Sequence, residues 1–292
     1  MKAKLIINPK AGRRKPSPLP EIRRVFEAQN LYKLDVHETT GPGDATRVAK
    51  QAALDNYDLV IAAGGDGSIL EVANGLIHSN TCLGVIPVGT ENVLAREMGI
   101  PLKPGPACEF MLKAECRTID TGCIAGQHFV CFAGIGFDAH VVHSLPPERK
   151  TRFGALAYIL TATQKLHGYR KVPRRAKLTL DGVTQEVEFL ILVVSNIRKY
   201  GGGMIPAPEA EVDDGLLDIC VFPNANYISM MRQMAAIKQG KHTKLKGVGY
   251  FQAKTIEIET DISEQIQLDG DAWPSRSPFK IEVVPKSLQV RF

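Results

Sequence analysis

Three short segments place glycine, asparagine, proline or threonine directly after an apolar run. They are Asn8-Pro9-Lys10-Ala11-Gly12 after Leu5-Ile6-Ile7, Gly64-Gly65-Asp66-Gly67 after Leu59 to Ala63, and Pro87-Val88-Gly89-Thr90-Glu91-Asn92 after Cys82 to Ile86. Glycines at the carboxyl end of a parallel strand let main-chain N–H groups approach phosphate oxygens, and a helix N-terminus behind them adds positive potential. Gly67 is followed by Ser68 and, three residues on, Glu71, the spacing of a capping box with Ser68 as N-cap. A tight turn would account for the glycines but not for Asp66. An acid among phosphate-binding amides suits a residue that holds Mg²⁺. One such segment alone says little, because Gly, Pro and Asn populate turns for main-chain reasons. Three after successive strands predict a nucleotide crevice at the carboxyl edge of a parallel sheet. The chain has no GxxxxGK[ST] and no GxGxxG, which excludes a P-loop and gives no support to a dinucleotide fold.

The elements that must present these loops are legible in the same stretch. Roughly the first hundred residues alternate short apolar runs with helical patterns, the signature of a parallel sheet covered by helices. A helix is predicted over Pro18 to Gln29 and a strand over Lys33 to Thr39. A second helix starts at Gly43, with Ala45, Val48, Ala49 and Ala52 at i, i+3, i+4, i+7 spacing facing the sheet. From about Thr118 the pattern changes to strands joined by short turns, with helices near Phe153 to His167 and Tyr227 to Gln239. Asp181-Gly182 between two alternating runs is a strong hairpin signal, so the second half reads as largely antiparallel. The 292 residues exceed what one compact core commonly holds, which points to two domains. The expected division is residues 1–120, an α/β nucleotide-binding domain; residues 121–275, a β-rich domain; and residues 276–292, strands returning to the first domain.

With 44% apolar and 23% charged residues the composition is that of a globular protein, and extended disorder is excluded. The apolar runs are of strand length, and the start leads into a strand rather than a signal peptide; the expectation is a cytoplasmic protein. Six cysteines without CxxC spacing read as free thiols, and the pair His140 and His143 as helix or loop surface rather than metal ligands. Net charge is +5, with basic clusters at Arg13-Arg14-Lys15, Arg23-Arg24, Arg170 to Lys177 and Lys238 to Lys246. Each cluster alone suits a solvated face; together they suit an anionic membrane surface, where each Lys or Arg contributes about 1 kcal/mol. No recognition motif or aromatic platform accompanies the charge, so nucleic acid is not expected as a partner.

The order of the segments carries a resemblance. Asn8 to Gly12, Thr39-Thr40 before Gly43-Asp44-Ala45, Gly64 to Gly67 with Glu71 and Asn74-Gly75, and Pro87 to Asn92 with Ala95-Arg96 resemble the catalytic domain of diacylglycerol kinases. Sphingosine and ceramide kinases and bacterial phosphatidylglycerol kinase-like proteins share it. The likeness continues through Gly134-Ile135-Gly136-Phe137-Asp138-Ala139, Gly201-Gly202-Gly203 with Pro206 and Ala207, and Asp213-Asp214-Gly215-Leu216-Leu217-Asp218, and ends at Gln267-Leu268-Asp269-Gly270-Asp271. It implies an α/β N-terminal domain with a parallel sheet, of NAD kinase/diacylglycerol kinase-like type, a largely antiparallel β-rich C-terminal domain, and a nucleotide site in the cleft between them. The positions matching nucleotide contacts are Asn8, Pro9, Lys10, Ala11, Gly12, Thr40, Gly64, Gly65, Asp66, Gly67, Ser68, Glu71, Gly89, Thr90 and Asn92. Glu211, Asp214 and the Leu216 carbonyl match a structural Mg²⁺ site, with Asp213 and Asp218 as turn-capping acids. The family's Asp-Gly-Glu ending supplies the base that takes the lipid hydroxyl's proton; here it reads Asp269-Gly270-Asp271, leaving Asp271 or Asp269 in that role.

The activity so implied is transfer of the γ-phosphate of ATP, with Mg²⁺, to a hydroxyl of a membrane lipid by a peripherally associated enzyme that could pair as a homodimer. Ser68 stands where Thr is commoner, Glu91 where a neutral residue is usual, and Asp271 where Glu is usual. The acid at 91 leaves the nucleotide donor open. The alternatives are an NAD kinase-like enzyme, whose Asn-Glu pair is not evident after Asn92, and a catalytically silent nucleotide- or lipid-binding regulator, which would not need acids at 66, 214, 269 and 271.

Overall fold

The computed structural model describes residues 1–11, 17–145, 155–224 and 226–292, with side chains from residue 160 onward in the segment that begins at 155. The chain divides into two units, residues 1–120 with 285–292, and residues 121–284.

In the first unit β1 (Lys2–Ile7), β2 (Lys33–Glu38), β3 (Leu59–Gly64) and β4 (Cys82–Pro87) form a parallel sheet in the order β2-β1-β3-β4. Every residue of β3 and β4 is buried, which is why both read as unbroken apolar runs, whereas the edge strand β2 mixes Lys33, Asp35 and His37 with Leu34 and Val36. Between the strands run α1 (Leu19–Gln29), α2 (Asp44–Leu54) and α3 (Asp66–Leu76); α4 (Val93–Glu97) and α5 (Pro104–Lys113) follow β4. Ala45, Val48, Ala49 and Ala52 are the buried face of α2, as their spacing predicts. Ile22, Val25 and Phe26 of α1 join Leu5, Ile7, Leu59, Ile61 and Ile86 in one apolar cluster.

The second unit opens with the end of β5 (Cys116–Ile124) and holds β6 (Gln127–Phe129), β7 (Phe132–Gly136), β8 (Arg175–Leu180), β9 (Val183–Glu188), β10 (Ile191–Ser195), β11 (Leu217–Phe222), β12 (Gly249–Ala253), β13 (Thr255–Thr260), β14 (Gln265–Leu268), β15 (Asp271–Arg276) and the start of β16 (Phe279–Arg291). One antiparallel sheet runs β12-β11-β10-β7-β14-β15; β13 is flanked by β8 and β16, also antiparallel, and β9 pairs with β8. Alternate residues of both layers, among them Ile135, Leu192, Val194, Ile219, Ile256, Ile258, Leu268 and Ile281, interdigitate in a single core. A smaller cluster holds Phe137 and Val141 of α6 (Phe137–Ser144), Tyr169 and Leu166 of α7 (Ala155–Tyr169), and Met230 of α8 (Tyr227–Ile237).

Two expectations need correction. Cys82 and Cys116 form a disulfide, their Cα atoms 6.2 Å apart, while Cys108, Cys123, Cys131 and Cys220 are buried thiols. The pair opens β4 and β5, a proximity that a separation of 34 residues does not reveal. The capping box does not form either. Helix α3 begins at Asp66, so Ser68 lies inside its first turn and Gly65 is the N-cap.

Candidate active site

The strand order of the first unit reverses between β1 and β3, so the loops after these two strands flank the switch point where open α/β sheets bind ligands. The loop after β1 closes as a turn: Ala11 N–H donates to the Asn8 carbonyl at 3.0 Å, and Lys10 N–H to Asn8 Oδ1 at 2.9 Å. Pro9 and Lys10 are exposed there. Gly12 and the basic run Arg13 to Lys15 lie outside the described residues, as do Phe153 and Gly154.

The first two turns of α3 tie the other loops to this one. Ser68 Oγ accepts from Asn8 Nδ2 at 3.1 Å, reaching the loop after β1. Glu71 Oε2 accepts from Gly43 N–H at 3.1 Å, reaching the loop after β2. Asp66 reaches the loop after β4, where Oδ1 accepts from Val93 N–H at 2.6 Å and Oδ2 from Asn92 N–H at 3.0 Å. Burial raises the Asp66 pKa, against these two N–H bonds. A carboxylate offers about four lone-pair sites, so each oxygen keeps acceptor capacity beyond its amide partner. A Cβ on Gly89 would lie 2.6 Å from the Gly65 Cα, so only glycine lets the loops after β3 and β4 touch main chain to main chain. Thr40 and Thr90 are exposed at this edge, and Thr40 donates through N–H and Oγ1 to Asp44 Oδ2 at 3.0 and 3.2 Å. His37, then Thr40 and Arg47, hold the Asp44 carboxyl far below the ordinary range. The hub role of α3 is not visible in a sequence, because each of its four bonds joins residues 26 to 60 positions apart.

In the second unit Asp269 and Gly270 form the turn between β14 and β15, and their neighbours differ sharply in surroundings. Asp269 is buried. Its Oδ1 accepts from the N–H groups of Cys131 (2.9 Å) and Phe132 (2.7 Å), and its Oδ2 from Val130 N–H (2.9 Å). Asp271, the first residue of β15, is half-buried. Gln267 stiffens the turn from behind: its Oε1 accepts from Gly270 N–H at 2.6 Å, while its Nε2 donates to Asp138 Oδ2 at 2.8 Å and to Tyr200 Oη at 3.3 Å. Tyr200 stacks on Phe132 with ring centroids 4.1 Å apart, just before the Gly201–Gly203 turn. A Cβ on Gly134 would lie 1.9 Å from Asp138 Oδ2, so the network needs glycine there. Tyr200 and the pairing of Asp138 with Gln267 escaped the sequence reading; the signal for Asp138 was an acid inside an otherwise apolar segment.

The third group of acids lies before and in β11. Asp214 Oδ1 accepts from Leu216 N–H at 3.0 Å, and Glu211 is exposed. Asp218 does not cap a turn: it is buried within β11, paired in register with Ser195 and Gln252. Burial above all pushes its pKa up to about 6, with the charges of Asp214 and Glu209 adding to the rise and donation from Tyr250 and Gln252 opposing it. Among the described residues no three His, Cys, Asp or Glu side chains are arranged to hold a metal ion. The acids here are hard oxygen donors that repel one another, a set that suits Mg²⁺ completed by carbonyl and water oxygens.

The comparisons with known proteins agree on one family. Residues 2–124 match the diacylglycerol kinase catalytic domain, and residues 132–292 match the YegS C-terminal NAD kinase beta sandwich-like domain. The chain is 35% identical over 274 residues to a diacylglycerol kinase of Bacillus subtilis, covering 92% of this chain and 89% of that protein. It is 30% identical over 273 residues to a diacylglycerol kinase of Staphylococcus aureus, covering 92% and 86%. A crystal structure of a diacylglycerol kinase from Bacillus anthracis superposes with a TM-score of 0.81 at 30% identity, over 100% of this chain and 96% of that one. With the parallel sheet, its three loops and the Asp-Gly-Asp hairpin in place, the chain belongs to the diacylglycerol kinase family of lipid kinases.

Proposed function

We propose that the protein transfers the γ-phosphate of MgATP to a hydroxyl of a membrane lipid of the diacylglycerol class. The observation that carries this reading is the convergence, through Asp66, Ser68 and Glu71, of the loops after all four parallel strands on the first turns of α3. Such an edge offers main-chain N–H groups and a helix N-terminus to phosphates. Asn8 to Ala11 and Gly64 to Gly67 line the triphosphate, with Thr40, Gly89, Thr90 and Asn92 beside it. Asp271 is the base: its carboxylate takes the proton of the lipid hydroxyl as that oxygen bonds to the γ-phosphorus, and the bond to the ADP oxygen breaks in line. Asp269, whose two oxygens accept from three amides, holds the turn that presents Asp271. Bound at Glu211, Asp214 and the Leu216 carbonyl, Mg²⁺ would supply charge neutralisation to the acids around Asp218.

The test is transfer of radiolabel from [γ-³²P]ATP to a panel of lipids in mixed micelles. The expected result is label in a lipid that extracts into organic solvent, with a diacylglycerol the best acceptor. Saturable ATP binding with no label in any lipid would remove the kinase reading and leave a nucleotide-binding regulator.

A further inference from the structure

Helix α8 is apolar on two sides. Met230 packs against the cluster of Phe137, Val141, Tyr169 and Leu190, and Ile237 is buried with it on the inner side of the helix. On the other side Tyr227, Ile228, Met231 and Met234 face outward, with Ile228 76% and Met231 70% exposed. A surface helix of a globular protein carries polar residues on its outer stripe; one that is apolar there has a second apolar phase to meet. The C-terminal end of α7 joins the patch. His167 Nδ1 lies 3.2 Å from Tyr227 Oη, the Arg170 guanidinium sits 4.4 Å from the Tyr227 ring centroid, and Leu160 and Val172 are exposed nearby in sequence.

The charge along the two helices and the residues that follow each has one sign. Residues 155–180 and 219–256 contain no Asp or Glu. Arg174, Arg175 and Lys177 pair with Glu264, Glu188 and Glu259 elsewhere in the unit. Lys165, Lys171, Arg232, Lys238 and Lys241 remain as exposed cations on or beside the two helices. An apolar stripe rimmed by cations is complementary to an anionic bilayer, whose headgroups take the charge while the acyl boundary takes the side chains. Met231 and Met234, unbranched and polarizable, suit a surface with no fixed shape better than a rigid protein socket.

We infer that the outer face of α8, with the end of α7, is the surface by which the protein docks on an anionic lipid bilayer, Ile228 and Met231 entering the headgroup boundary. The lipid-kinase reading supplies the reason to visit a membrane; the docking itself is measured without ATP or acceptor. Full-length protein is sedimented with vesicles of phosphatidylglycerol and phosphatidylcholine, and with phosphatidylcholine alone. The wild-type protein is expected to bind the anionic vesicles and to be released by salt. Ile228→Asp with Met231→Asp is expected to lower the bound fraction by ~10-fold or more at an unchanged thermal midpoint, while Ile228→Leu with Met231→Leu keeps it. Wild-type protein that ignores anionic vesicles, or a double Asp variant that sediments like wild type, overturns the inference. A wild-type dimer that the double variant turns into a monomer with vesicle binding intact also overturns it, since the face would then be covered by a second copy. Protein that docks as expected but phosphorylates no lipid leaves the inference standing and removes only the kinase reading.

Discussion

Two Asp-Gly turns in the second unit have almost the same main chain and quite different surroundings. Asp181 and Gly182 have φ values of 47° and 86°, Asp269 and Gly270 of 47° and 84°, the left-handed pair that a two-residue hairpin requires. Each aspartate folds its carboxylate onto a neighbouring segment. Asp181 Oδ1 accepts from Lys254 N–H, Thr255 N–H and Thr255 Oγ1 at 2.8 to 3.0 Å, much as Asp269 accepts from Val130, Cys131 and Phe132. The first turn is exposed, and Val183 follows it into solvent; in the second Asp269 is buried and Gly270 half-buried, and Asp271 follows. The dipeptide and its carboxylate bonds are therefore hairpin architecture. What distinguishes the second turn is the acid one residue beyond it and the packing of Gln267, Asp138 and Tyr200 behind it.

The comparison breaks first on activity. Asp271→Asn keeps the shape and removes the basic oxygen, so kcat is expected to fall by ~10²- to 10⁴-fold with ATP affinity and thermal midpoint near wild type. Steady-state kinetics with unfolding curves on both asparagine variants decide it. If Asp269→Asn instead lost kcat at full stability while Asp271→Asn kept it, the division of roles would be reversed.

Stability separates the turns next. Asp269→Ala orphans three N–H groups on residues that are at most 4% exposed, each costing about 1–3 kcal/mol, so a loss of several kcal/mol is expected. Asp181→Ala orphans N–H groups on the exposed Lys254 and Thr255, which water can reach, and is expected to cost about 1 kcal/mol or less. Urea midpoints at constant slope measure both; equal losses would mean that burial is not what distinguishes the turns.

The smallest effect concerns pH. The N–H bonds from Thr255 and Lys254 hold the Asp181 carboxyl below its ordinary value of 3.8. A depressed carboxylate adds stability that is fully present above the unfolded-state pKa and is lost as pH falls through the lower folded-state value. The difference in thermal midpoint between wild type and Asp181→Asn is thus expected to be constant above pH 5 and to shrink toward acid, below about pH 4. A difference that stayed constant down to the acid limit would mean that the neutral amide serves these N–H groups as well as the ionised acid.

The sequence by itself determined the elements and the turns, because those depend on near neighbours. Apolar runs marked β3 and β4, the i, i+3, i+4, i+7 alanines and valine marked the inner face of α2, and Asp181-Gly182 marked a hairpin. The order of the glycine-bearing loops was enough to point to the family. The tertiary structure alone decided which groups each carboxylate bonds. Asp66 bonds amides 26 and 27 residues away, Asp269 bonds amides 137 to 139 residues away, and Cys82 meets Cys116 across 34. It also decided which apolar side of α8 is covered, since a helix that is apolar on two sides carries no record of which of them its neighbours bury. The physical reason is the same in each case: hydrogen bonding and burial are fixed by neighbours in space, and local spacing reports only neighbours along the chain.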